Sequence, residues 1–307
     1  MKSLHLLTPL FTLPSLATDL LLPLYQYPAN SGAVWSPITD ALAANPSLTA
    51  KIIINPNNGP GTGIDDPQYV AGTQLLAAHA NAQLIGYVHT STDGGATRCS
   101  VPWESVAADI RTWSSWVDKG VPITGIFIDE APANSNNDCV AYMRNLTDFI
   151  RTDAALKFAK RLVVFNPGGT GALQPYYDMK PDLIVALETC FTVPEKAQVL
   201  YDQCDPQFVY ERYDHDGVGT SIDNVVFPNI GQGNAGATAV LVHGFHDFNG
   251  ASANFSATEA VLSEMIQGVV ARGIAATFFN TAGYHEFEDG PASIGTVARL
   301  LSAANAV

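Results

Sequence analysis

What most restricts the fold of this chain is a repeated alternation. Short runs rich in β-branched and aromatic residues recur at 20–27, 51–55, 83–89, 124–129, 161–166, 182–188, 237–243 and 275–280. Between them lie stretches whose apolar residues have helical spacing: 37–44, 67–80, 101–118, 140–152, 194–201, 256–271 and 294–304. Apolar strands alternating with amphipathic helices predict a parallel sheet covered by helices. Eight such units in roughly 290 residues predict an α/β chain folded as a (β/α)8 TIM barrel. No low-complexity linker or composition break divides it, so a single domain is expected. A doubly wound open sheet is the alternative. That fold carries a glycine-rich turn after its first strand, whereas here the first run ends in Tyr25-Gln26-Tyr27-Pro28. The segment holding Tyr176 and Tyr177, and the irregular stretch 204–236, read as loop elaborations over one face.

The first residues, MKSLHLLTPLFTLPSLAT, stand outside this pattern. A positive Lys2, an apolar run and the small-x-small sequence Ser15-Leu16-Ala17 read as a secretory signal peptide over 1–17, leaving 18–307 as the barrel domain. No later segment is long and apolar enough to span a membrane. Secretion makes sense of four cysteines, Cys99, Cys139, Cys190 and Cys204. An even count in an oxidising compartment predicts two disulfides with three possible connectivities. The pairing 99–139 with 190–204 is favoured, because each bridge would clip loops beside neighbouring strands. Asn145 and Asn254 each begin a glycosylation sequon. The formal charge is −14, and losing the leader with Lys2 makes it more negative. Such a surface repels nucleic acid and favours a cationic partner or simple solubility. A monomer is expected.

In a barrel of this kind reactive groups sit at the C-terminal ends of the strands. Those ends carry Tyr25 and Tyr27; Asn55; Tyr87 with His89 and Thr90; Asp129 with Glu130; Asn166; Glu188; His243 with His246; and Asn280 with Tyr284 and His285. The strand bodies are almost wholly apolar. The expected result is a polar cleft with tyrosines and three carboxylates, which suits a sugar: C–H faces to stack on and hydroxyls to bond. Tyr25, Tyr27, Asn55, Tyr87, His89, Asn166, His243, Asn280 and Tyr284 are the candidate substrate contacts.

The acids carry the chemistry. The fourth run reads GIFIDEAP, a buried strand ending in two adjacent carboxylates. A carboxylate beside an apolar core is costly unless it is paired, solvated or used. Glycoside hydrolysis uses two carboxyl groups, one to protonate the leaving oxygen and one to attack the anomeric carbon or activate water. Ends of strands four and six lie on the order of 10 Å apart. Inward-leaning side chains close that to the ~5–5.5 Å of a retaining enzyme or leave the ~6.5–9.5 Å of an inverting one, and the sequence leaves both open. Adjacent strand residues point opposite ways. Either one of Asp129 and Glu130 acts while the other braces, or Pro132 ends the strand early enough for both to turn in.

Other patterns carry less. NPNNGPGTG lacks the Gly-Lys-Ser/Thr of a P-loop and reads as a tight loop at the cleft wall. His243 and His246 lack a third metal ligand, so no metal is expected, and no nucleotide or flavin cofactor is called for. Trp103, Trp113 and Trp116 read as packing, and Trp35 as a candidate for the groove. GxSxG is absent.

The ordered stretches PLYQYP, IIINPNNGPG, LIGYVHTS, GIFIDEAP, VFNPG and ALET, across residues 23–189, resemble the spherulin-4-like proteins, glycoside hydrolase family 135. The resemblance implies a (β/α)8 barrel, secretion, and endo-hydrolysis of an α-1,4-linked galactosamine-containing polysaccharide such as galactosaminogalactan. It also implies Asp129 as nucleophile, Glu188 as general acid/base and Glu130 as a supporting carboxylate. An acidic cleft would suit a partly deacetylated, cationic polymer. The chain departs from the family after strand three, where TSTDGGATR brings no aromatic residue. Two other readings compete. One is a carbohydrate-binding wall or coat protein on an inactive barrel, which has no need of three carboxylates at two strand ends. The other is a chitinase-like hydrolase using the substrate acetamido group, whose repeated spaced aspartates are missing here.

Overall fold

The computed structural model describes residues 17–133, 137–168, 172–191, 209–210, 227–230, 233–243, 259–280 and 293–307. Its strands are β1 (Asp19–Leu24), β2 (Ala50–Ile54), β3 (Ala82–His89), β4 (Ile123–Asp129), β5 (Leu162–Phe165), β6 (Leu183–Phe191), β7 (Val209–Tyr210), β8 (Thr238–His243) and β9 (Ala276–Phe279). They pair in the order β5-β4-β3-β2-β1-β9-β8-β6, and a further β5–β6 pairing closes the ring. Every pairing is parallel. The two-residue β7 adds only to the end of β6. The eight expected strand runs are therefore the eight staves of a closed (β/α)8 barrel.

Closure explains why the strands are so uniformly apolar. A stave is buried inside by the barrel core and outside by helices, so alternation gives way to continuous hydrophobic runs. Leu20–Leu22 and Ile52–Ile54 are all buried. The helices are α1 (Ser36–Ala44), α2 (Pro67–Ala77), α3 (Trp103–Ser115), α4 (Asn137–Thr152), α5 (Gln174–Tyr177), α6 (Phe227–Ile230), α7 (Glu259–Ala271) and α8 (Ile294–Ala304). Their apolar stripes face the staves: α8 buries Ile294, Val297, Ala298 and Leu301, the i, i+3, i+4, i+7 spacing of one helical face. Local signals set the ends. The Asp66 carboxylate caps α2 by accepting from the Gln68 N–H at 2.8 Å, and Pro67 opens that helix.

Three expectations need correction. The first strand stops at Leu24, so Tyr27 lies beyond the sheet. Tyr176 and Tyr177 do not lie in a loop over the cleft. They form the single turn α5 and are buried, and the Tyr177 hydroxyl pairs with Thr238 at the start of β8, the end of the barrel away from the acids. Trp35 is not a groove residue. It is fully buried and donates its indole N–H to the Gln26 carbonyl at 3.2 Å.

Cys99 and Cys139 are bridged, as favoured, across 40 residues of chain. The bridge ties the loop after β3 to the first turns of α4, both at the mouth. Cys204 and the side chain of Cys190 lie outside the described residues, as do residues 1–16, Asn254, Tyr284, His246 and the expected helix 194–201. Asn145 is exposed on α4. Near the start of the described residues, Thr18 exchanges two hydrogen bonds with the Asn305 side chain after α8. Among the described residues no helix is long and apolar enough to cross a membrane.

One packing contact links the wall to the mouth. Trp113 of α3 lies flat against Gly86 of β3, where a Cβ would meet its Cδ2 at 2.4 Å. The same indole donates to the Tyr87 carbonyl at 2.7 Å. Gly86→Ala therefore has to displace a buried tryptophan, at a cost of about 1–3 kcal/mol for overpacking. Chemical denaturation should show that loss, whereas a value within 0.5 kcal/mol of wild type, on the order of a surface change, would contradict the packing.

Candidate active site

The strand ends converge as a parallel barrel requires. Asp129 is the last residue of β4, Asn166 follows β5, Glu188 lies near the end of β6 and His243 ends β8. The Asn166 N–H donates to the Ile128 carbonyl, and Asn166 returns its own carbonyl to the Ala131 N–H, which fixes its backbone between β4 and the following loop. Its side chain then bridges the acids. Asn166 Nδ2 donates to Asp129 Oδ1 at 2.8 Å and to Glu188 Oε2 at 2.6 Å. The Gly168 N–H donates to Asn166 Oδ1 at 3.0 Å, so the amide is oriented with its NH2 group toward the carboxylates.

The remaining carboxylate oxygens are also engaged. The Tyr87 hydroxyl donates to Asp129 Oδ2 at 2.6 Å. His243 Nε2 is 2.9 Å from Glu188 Oε1, with the imidazole buried and the Glu188 side chain 17% exposed. Tyr25 sets its ring edge-on to Tyr87, centroids 5.8 Å apart. Tyr87, Asn166 and His243, expected to face substrate, thus turn their polar atoms onto the acids.

These contacts pull the two acids in opposite directions. Burial is the largest influence on Asp129, the neighbouring Glu188 charge adds to it, and together they push its pKa up to about 7. The hydrogen bonds from Tyr87 and the Glu130 N–H work the other way and do not offset them. Burial is also the largest single influence on Glu188. Here the hydrogen bond and charge of His243, with the Asn166 N–H, outweigh it and hold the pKa below the ordinary value. Near pH 6 the pair therefore holds one proton, on Asp129, and one charge, on Glu188.

Glu130 leaves the sheet at a sharp turn. The strand runs regularly to Asp129, and then Glu130 adopts a left-handed backbone with φ 52°, a strained conformation for a side chain of this kind. That turn sends its carbonyl to the Thr90 hydroxyl at 2.8 Å and its carboxylate to within 3.5 Å of His89 Nδ1. His89 Nδ1 also lies 2.8 Å from the Ser91 carbonyl. Glu130 and His89 form a second pair beside the acids.

The other candidates occupy further strand ends and loops. Asn55 accepts from the Gly59 N–H at 3.0 Å and so braces the NPNNGPG loop. Asn280 follows β9 and joins the ladder by donating its N–H to the Val242 carbonyl. Tyr27 is 46% exposed and donates its hydroxyl to Asp66 at 2.8 Å. Among the described residues no group of three His, Cys, Asp or Glu side chains could hold a metal ion.

The model of the spherulation-specific family 4 (Spherulin4) matches residues 19–298, nearly the whole barrel. The chain belongs to the spherulation-specific family 4. Among solved structures, Aspergillus clavatus Sph3 in complex with GalNAc superposes with a TM-score of 0.70 at 21% identity, over 93% of this chain and 98% of that one. The Spherulin4 chain and Sph3 thus share a fold. ZgEngAGH5_4 in complex with a cellotriose aligns over 95% of this chain and 96% of its own at a TM-score of 0.45 and 12% identity, too loosely to argue from. A comparison with curated proteins finds no match.

Opposite shifts give opposite pH signatures in this Spherulin4 chain. The folded state holds a proton on Asp129 that the unfolded chain releases near pH 4, so this contribution to stability is lost as pH rises through about 7. Glu188 has the reverse sign: its contribution is present above the unfolded value and is lost as pH falls through its lower folded value. Thermal melts from about pH 5 to about pH 8 should therefore show Asp129→Asn gaining on wild type by several degrees, while Glu188→Gln stays below it throughout. Parallel pH curves for all three proteins would contradict the assigned proton.

Proposed function

We propose that this protein is a secreted, retaining endo-α-1,4-N-acetylgalactosaminidase that cleaves galactosamine-containing polysaccharide at Asp129 and Glu188. One observation carries the chemistry. A single amide nitrogen reaches both carboxyl groups, so their facing oxygens can be no more than about 5.4 Å apart, which is short of the ~6.5–9.5 Å of single-displacement glycosidases and favours double displacement. The ionisation of the pair matches that use: one member arrives protonated and the other charged.

The charge balance favours Asp129 as the acid that protonates the glycosidic oxygen and Glu188 as the nucleophile. His243 and Asn166 keep Glu188 ionised, and Tyr87 orients Asp129. In the second half of the cycle Asp129, now a carboxylate, takes a proton from water as it attacks the glycosyl–Glu188 ester. The family resemblance implies the reverse roles, so the two assignments stand as rivals to be tested. The sugar class rests on that family and on the GalNAc in the Sph3 complex. Secretion, with cleavage after Ala17, is supported by the leader sequence and by the Cys99–Cys139 bridge.

Azide rescue separates the roles. With Glu188→Ala, azide enters the face that the carboxylate vacated, and an α-linked substrate yields the β-glycosyl azide. With Asp129→Ala, azide captures the glycosyl enzyme and yields the α-glycosyl azide. Swapped products would support the resemblance's assignment instead. Polymer binding without release of reducing ends by the wild type would overturn hydrolysis and favour a binding protein. Each unrescued variant should lose at least a hundredfold in rate, on the order of one general acid or base.

A further inference from the structure

The tyrosines at the mouth form a graded series. Tyr87 is buried and holds Asp129. Tyr25, after β1, is half-buried and edge-on to it. Tyr27, two residues further, is exposed. Two residues span at most about 7 Å of chain, so Tyr27 stands on the rim of the same mouth.

Its ring is held in place from two sides. It meets Tyr69 of α2 edge-on, with centroids 5.5 Å apart. Its hydroxyl donates to Asp66 Oδ2, while the other oxygen of that carboxylate caps α2. Tyr69 in turn packs on the buried Trp35. Among the described residues the only other large hydrophobics this exposed are Leu75, Leu173 and the terminal Val307, so Tyr27 is the one large aromatic ring left open to solvent. An exposed side chain usually keeps its rotamer freedom. Here that freedom is given up to present an aromatic surface, which is the preorganisation a stacking site needs.

We infer that Tyr27 is a distal sugar platform, stacking a galactosamine-containing residue of the polymer at a subsite beyond those at the acid pair. The chain would run from the acids, past Tyr25, onto the wall built by the β1–α1 loop and the start of α2. This rests on the proposed glycosidase reading and deepens it: binding energy collected at the rim favours long chains and cleavage within them.

Two measurements test it. Kinetics on galactosaminogalactan should show Tyr27→Ala raising KM about tenfold with kcat within about twofold, the size of one lost aromatic contact, and Tyr27→Trp restoring KM. In a Glu188→Gln background, equilibrium binding of the polymer should weaken by a similar factor on adding Tyr27→Ala. KM and affinity within twofold of their parents, or kcat falling as far as kcat/KM, would overturn the platform. The binding arm does not depend on turnover. A wild type that cuts nothing but whose polymer affinity depends on Tyr27 would overturn the hydrolase reading and leave the platform standing.

Discussion

Asn166 holds two carboxylates with one amide group, and the mouth of the barrel is arranged around that fact. Left alone, neighbouring buried carboxylates cannot both ionise, because each charge disfavours the other and burial disfavours both. The amide offers one N–H to each, and the Gly168 N–H keeps it from turning over. The asymmetry comes from the flanks. Glu188 has a histidine on its far side and Asp129 a phenol. A histidine supplies charge as well as a hydrogen bond, so the proton settles on Asp129.

None of this exists without closure of the ring. Asn166, just after β5, and Glu188, on β6, are brought together only because β5 pairs with β6, and His243 stands beside Glu188 because β8, not β7, is the next stave. The pairing of β6 with β8 shifts register between Val185 and Leu187, just ahead of Glu188. In a strand a one-residue change exchanges inward for outward side chains, so this irregularity belongs to the positioning of the acid. The left-handed Glu130 does similar work on β4. It ends the strand abruptly and lets its own N–H face Asp129 while its carboxylate turns to His89.

Much of this could be read from the chain. Staves buried on both faces leave unbroken apolar runs, so all eight barrel strands show in the sequence, and polar residues at their C-terminal ends mark the mouth. The sequence does not show which of those polar residues face one another. Tyr87, Asn166 and His243 look like sugar contacts because each is a hydrogen-bonding residue at a strand end, and their partners are set by ring neighbours far away in the chain. The turn at Glu130 leaves no signal either, since glycine is the residue that usually announces a left-handed backbone. Trp35 misleads for a related reason: a tryptophan after the first strand suits a groove and a core equally, and only the indole bond to Gln26 decides.

The central claim is that one proton sits on Asp129 while Glu188 stays charged. Carboxyl-carbon NMR, with Asp129 and Glu188 identified through their amide variants, reads both titrations directly in the intact barrel. The account predicts an aspartate midpoint near 7 and a glutamate midpoint below the ordinary carboxylate range. A low Asp129 with a high Glu188, or two midpoints near 4, on the order of free side chains, would contradict it.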